Sequence, residues 1–124
     1  MATKLLKIQV PLDVIYKDGL FLLIDIQRFF EYENGKKTER LAGYKYIVAD
    51  TVDFDKIQIK IKGQTIPLIA PEELAERRKN GEKIFVEFIG GYDKLYNRNF
   101  NGQWTVEDSF SAEDVRLVDT ENEI

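Results

Sequence analysis

Residues 54–81, FDKIQIKIKGQTIPLIAPEELAERRKNG, change their apolar period halfway along. Up to Lys62 the pattern alternates, with Ile57, Ile59 and Ile61 on one side and Lys56, Gln58, Lys60 and Lys62 on the other. A period of two belongs to a strand with one buried and one solvated face, so 54–62 is predicted as a strand with a basic outer surface. From Ala70 the alternation stops. Pro71 suits a first helical turn, Glu72 and Glu73 suit the positive end of a helix dipole, and Arg77, Arg78 and Lys79 suit its negative end. Gly81 suits the left-handed position that closes a helix. The spacing predicts a helix of about three turns after the strand.

The flanking sequence is then read outward from this pair. Upstream, 41–50 (LAGYKYIVAD) is predicted as a strand, joined to 54–62 by a short turn at Thr51-Val52-Asp53. Asn34-Gly35 inside ENGKKTER is a strong two-residue hairpin signal. Before it, 20–32 (LFLLIDIQRFFEY) is β-branched and aromatic but alternates imperfectly, which predicts a bent or bulged strand. Residues 1–18 form an N-terminal arm; its apolar part, 5–16, is interrupted by Pro11 and suits a sheet edge. Downstream, 83–89 (KIFVEFI) is a strand, 90–102 a long aromatic and polar loop, 103–107 a possible strand continuation and 113–118 the last strand. Residues 119–124 are a short, acidic, frayed tail. No repeat or shift in composition divides the chain, so 1–124 is read as one domain.

Three antiparallel strands, a helix and two strands give the order β-β-β-α-β-β. This is the order of an OB-fold: all-β with one helix, a five-stranded Greek-key barrel, here with an N-terminal arm. The stretch Gly81-Glu82-Lys83-Ile84-Phe85-Val86-Glu87-Phe88, the loop holding Asn101-Gly102, and Ser111-Ala112-Glu113-Asp114-Val115-Arg116-Leu117-Val118 carry the comparison further. Together they resemble the second half of single-stranded-DNA-binding OB-fold proteins. Tyr44 and Tyr46 followed by Asp53-x-x-Lys56-Ile57 also resemble accessory proteins of conjugative transposons and plasmids. These resemblances imply a single-stranded-DNA partner, a role in replication or transfer of DNA, and homodimers or higher oligomers.

Composition narrows the chemistry. The chain has no cysteine and no histidine, which removes thiolate and imidazole nucleophiles and the commonest zinc ligands. Acidic pairs such as Glu31 with Glu33 or Glu107 with Asp108 remain, but nothing aims them at a substrate and no EF-hand spacing occurs. The expectation is a non-enzymatic protein with no cofactor and no metal. No apolar run is long enough to cross a bilayer, and the N-terminus lacks a signal-peptide pattern, so a cytoplasmic protein without a membrane partner is expected. The net charge of −4 weighs against phosphate binding, yet 56–62 holds three lysines and no acid, so distribution matters more than the sum.

Single strands are bound by pairing cations for phosphates with aromatic faces for bases. On an OB barrel the contact face is formed by strands two and three and by the loops one-to-two and four-to-five. The expected binding residues are Lys36, Lys37 and Arg40 in the first loop, Tyr44 and Tyr46 on strand two, and Lys56, Lys60 and Lys62 on strand three. The last loop adds Tyr92, Lys94, Tyr96, Arg98, Phe100 and Trp104, whose two-residue spacing would put most of them on one side of an extended hairpin. Each set has a plainer reading. Tyr44 and Tyr46 face either the ligand or the core, since strand parity slips by one easily. The lysines suit any solvated strand face, and the 92–104 loop could pack on itself or on another chain. Phe29, Phe30 and Phe54 are read as packing residues. The partner is single-stranded DNA or RNA; the competing reading is a protein-interaction or structural module of a phage or mobile element, pairing through its strands.

Overall fold

The computed structural model describes residues 8–17 and 19–118, without the side chains of Tyr96, Arg98, Phe100, Val106 and Glu107. The frayed tail expected at 119–124 and the first seven residues of the arm lie outside the described residues. The elements are β1 (Ile8–Pro11), α1 (Leu12–Ile15), β2 (Phe21–Glu33), β3 (Lys36–Asp50), β4 (Lys56–Lys62), α2 (Pro71–Lys79), β5 (Phe85–Ile89), β6 (Tyr92–Phe100), β7 (Gln103–Ser111) and β8 (Asp114–Val118). The protein is predominantly β, with one sheet in the order β1-β6-β7-β4-β3-β2-β5-β8. Its neighbours run antiparallel except β4 and β7, which are parallel.

The β2-β3-β4 meander and the helix after it lie where the period change put them. β2 is irregular as expected, with register breaks at Leu23/Asp25, Phe29/Phe30 and Phe30/Tyr32. Two departures have local causes. The N-terminal arm divides at Pro11 into β1 and the four-residue α1. Leu12 is buried there, and its N–H donates to the Gly91 carbonyl at 2.8 Å. A Cβ on Gly91 would lie 2.8 Å from Leu12 Cδ2, so a larger residue there would make the Leu12 side chain shift. The second departure is the expected loop 90–102, most of which is strand. Asn101 and Gly102 take φ of 52° and 81°, matching 53° and 77° at Asn34 and Gly35. Both pairs are two-residue hairpin turns with positive φ at each central position. β5 runs into β6 through Gly90-Gly91, and β7 into β8 through Ala112-Glu113. The Glu113 N–H donates to the Ile89 carbonyl across this bend.

The core lies on the inner face of the meander. Ile59 and Ile61 of β4 meet Tyr46 and Tyr44 of β3 in register, so both tyrosines share the buried side. Tyr46 is fully buried, yet its hydroxyl is satisfied: it donates to Gln64 Oε1 at 2.7 Å and accepts the Leu68 N–H at 3.0 Å. Phe21 packs edge-on against Tyr16 and Phe88, each at 5.5 Å between centroids. Leu74 of α2 and Ile69 before it reach the same cluster, which is how the helix is held to the sheet.

One buried acid is poorly accommodated. Asp93 of β6 is 6% exposed, and its Oδ1 has no hydrogen-bond partner among the described residues. Burial, followed by the hydrogen bond and charge of Asp108 on β7, pushes its carboxyl from 3.8 to about 6, while the Ser109 backbone pulls it back in part. Burial first, then Asp55, Asp50, Asp108 and Asp93, also push the Tyr16 hydroxyl above its usual range. The folded state therefore holds the Asp93 proton more tightly than the unfolded chain does. Its stabilising contribution is complete below about pH 4 and is lost as pH rises through about 6. Asp93→Asn is expected to melt several degrees above the wild type at pH 7, with the gap closing towards pH 4. Thermal melts across that range check it, and parallel wild-type and variant profiles would refute it.

Candidate functional site

The outer face of the meander is built row by row. Gln27, Lys45 and Lys60 lie side by side across β2, β3 and β4, and Phe29, Gly43 and Lys62 form the next row. Gly43 leaves no side chain in the middle of its row. An ideal Cβ there would sit 2.9 Å from Phe29 Cε1 and 2.1 Å from the Ile61 carbonyl oxygen. The Phe29 ring thus lies against bare backbone, an aromatic covering a strand glycine.

Past Phe29 the register shifts, and β2 and β3 extend beyond the core as an exposed hairpin. This hairpin carries Phe30 and Tyr32 out to the cleft. The cleft is about 440 Å³ and is lined by Arg28, Phe29, Phe30, Glu31, Tyr32, Lys37, Ala42, Lys45, Lys60 and Lys62. Two lysines lie over its rings: Lys60 Nζ is 5.5 Å from the Phe29 centroid and Lys37 Nζ is 4.9 Å from that of Phe30. Among the described residues, five cations in the lining face one carboxylate, Glu31. That carboxylate is engaged elsewhere. Arg40 Nε binds Glu31 Oε2 at 2.9 Å, and its Nη2 binds Glu33 Oε2 at 2.9 Å. The two acids hold the Arg40 guanidinium above its usual range, Glu33 first and Glu31 next. The cleft is therefore basic although the chain is acidic overall.

The expected residues separate into groups. Lys37, Lys60 and Lys62 line the cleft. Lys36 is exposed at the hairpin turn opposite Glu33. Lys56 lies on the same face of β4, further from the hairpin. Arg40 is committed to Glu31 and Glu33 and braces the hairpin. Tyr44 and Tyr46 are core residues at 7% and 0% exposure, so neither can offer a face to a ligand. Their position follows from pairing with Ile61 and Ile59, which fixes the parity of β3 by that of β4.

The last group sits on the β6–β7 hairpin. Tyr92 is half-buried opposite Ser111, Lys94 is exposed opposite Ser109, and Trp104 is exposed opposite Asn99. The side chains of Tyr96, Arg98 and Phe100 lie outside the described residues. Tyr92, Lys94 and Trp104 are not among the described residues that line the cleft.

Sequence reasoning missed Arg28, Phe29, Phe30, Tyr32 and Lys45. It also misplaced Phe54, which is exposed in the β3–β4 turn with a φ of +61°. The available signal for the phenylalanines was their position. Phe29, Phe30 and Tyr32 lie beyond the last alternating core residue of β2, next to a charged turn and away from the core cluster. Comparison of the chain with protein-family models, curated proteins and solved structures returned no match.

Proposed function

We propose that the outer face of β2, β3 and β4 binds single-stranded nucleic acid, DNA in the first place, with little sequence preference and without catalysis. The observation that carries this reading is the pair of phenylalanine rings, each under a lysine ammonium, in a cleft with three further cations. Aromatic faces take any base, and ammonium groups beside them take the phosphates on either side. Neither group reads base edges, which is why little preference is expected.

The strand pairing supports an OB-like barrel as the scaffold. Setting β1 aside as part of the arm and counting β5–β6 and β7–β8 as one bent strand each leaves five strands. The first pairs with the second, the second with the third, the third with the fifth in parallel, the fifth with the fourth and the fourth with the first. On that scaffold the cleft spans strands one to three beside the first hairpin, so it overlaps the strand-two and strand-three face on which OB-folds bind their ligands.

The test is a titration of a labelled oligo-dT of about 20 nucleotides, followed by anisotropy at low and moderate salt. Saturable binding at micromolar protein, weakening steeply as salt rises, is expected. Absence of binding at low salt would overturn the reading. In that case a second reading gains, a protein-interaction module. It is favoured by β8, which ends the sheet with Leu117 half exposed and Ile89 of β5 exposed nearby. Its mark is a stable oligomer at micromolar concentration with no affinity for oligonucleotides.

A further inference from the structure

A second cleft, about 550 Å³, lies between α2 and the same sheet face. Ile24 and Ile47 line its apolar part, and Lys56, Arg78 and Lys79 bring three positive charges against Asp25. Asp25 is partly occupied, accepting from Gln27 Nε2 at 2.9 Å. Arg78 is fixed in place by donating from Nη1 to the Ile24 carbonyl at 2.8 Å. Lys56 and Lys79 are exposed.

The two clefts adjoin. Asp25, Ile47 and Gln58 form the row next to Gln27, Lys45 and Lys60. Rows of one face are two residues, or about 7 Å, apart along a strand. On β4 the series Lys56, Gln58, Lys60, Lys62 leads from the helix-side cleft to the aromatic one without leaving that face. It spans about 20 Å at the rise of a strand. Phe54, two residues before Lys56, is 74% exposed and held with positive φ, an uncommon conformation for a bulky side chain.

Resting on the function proposed above, we infer that the cleft beside α2 is a second phosphate-binding station on one continuous path. The full ligand is then a linear polyanion, a polynucleotide strand long enough to run from the β2–β3 hairpin to the end of α2. A short oligonucleotide fills the aromatic cleft alone. A longer one also reaches Lys56 and Lys79.

Two oligonucleotides, dT of about 4 and of about 16 nucleotides, distinguish this from the parent reading; single-strand sites on such folds span roughly that range. The variant is Lys56→Gln with Lys79→Gln, both exposed, and its melting temperature is checked against the wild type. The double variant is expected to weaken binding of the long strand about tenfold or more and that of the short one less than twofold. Its salt dependence on the long strand should flatten by about 1.4, the value for two phosphate contacts on a single strand. Comparing variant with wild type at each length cancels the statistical advantage of a longer lattice. Equal loss at both lengths, or loss at neither, overturns the second station and leaves the aromatic cleft standing. If the wild type binds neither strand, both readings fall.

Discussion

Gly43→Ala is expected to lower the melting temperature by about 10 °C or more. The added Cβ would lie 2.1 Å from the Ile61 carbonyl oxygen, a backbone atom that cannot move without opening the β3–β4 ladder. It would also press on Phe29 Cε1 at 2.9 Å. The side chain could rotate away; the carbonyl could not. A displacement of that size in a central strand belongs with the overpacking and strain changes that cost roughly 3 kcal/mol. Gly35→Ala makes the contrast. Nothing lies within 4 Å of its Cβ position, so only the positive φ of 77° is penalised, at about 1 kcal/mol. Thermal melts of the two variants side by side test the argument. If Gly43→Ala melts no lower than Gly35→Ala, the close approach of β3 to β4 is not a constraint on this fold.

The same glycine shows why the site was harder to read than the scaffold. The meander and the helix are written locally. Ile57, Ile59 and Ile61 alternate without interruption, and Pro71 to Gly81 carries start and stop signals at each end. Asn34-Gly35 was equally local, and so was Asn101-Gly102, which closes the second hairpin with nearly the same dihedrals. The second pair reads as part of a loop because the aromatic, amide-rich residues around it lack an apolar alternation. Backbone pairing with β1 on one side and β4 on the other stabilises those strands, and neither partner is visible within the stretch itself.

The side on which Tyr44 and Tyr46 lie is non-local as well. It depends on the number of residues between Asp50 and Lys56, and the Asp50 side chain sets that turn by accepting the Asp53 N–H at 2.8 Å. Once the buried face of β4 was known, register alone placed both rings inside. Phe29 reads as a packing residue for the complementary reason. A phenylalanine in an apolar run is normally core, and its outward position follows only from sitting opposite Gly43 across the register break of β2. The basic side of the site was legible at Lys37, Lys60 and Lys62, since charge is written in the residue itself. The aromatic side was not, because a ring serves a core and a ligand equally well and only its neighbours decide.

Phe29→Ala combined with Phe30→Ala is expected to reduce affinity for single-stranded DNA by about 30-fold or more. Each stacked base is worth roughly 1–3 kcal/mol, so two lost platforms remove about 2–6 kcal/mol if they act independently. Two corrections pull towards the low end. The rings are adjacent in sequence, so their contributions overlap. In the free protein each ring also carries a lysine, and a base must displace that contact, worth about 0.5–1 kcal/mol at an exposed site. On the proposed reading the displaced ammonium would be left beside the phosphate of the nucleotide that displaced it. Stacking and neutralisation would then be coupled at the same two positions, and the variants separate them. The phenylalanine double variant should lose affinity while keeping nearly the wild-type salt dependence, since all five cleft cations remain. Lys60→Gln should lose less affinity but flatten the salt dependence by about 0.7, the value of one phosphate contact on a single strand. Anisotropy titrations at three salt concentrations give both quantities for each variant. Because Phe29 also covers Gly43, melts of the same preparations must accompany them, and affinities are compared at temperatures where each variant is folded. A folded phenylalanine double variant with wild-type affinity would remove the rings from the interface and, with them, the observation on which the proposed function rests.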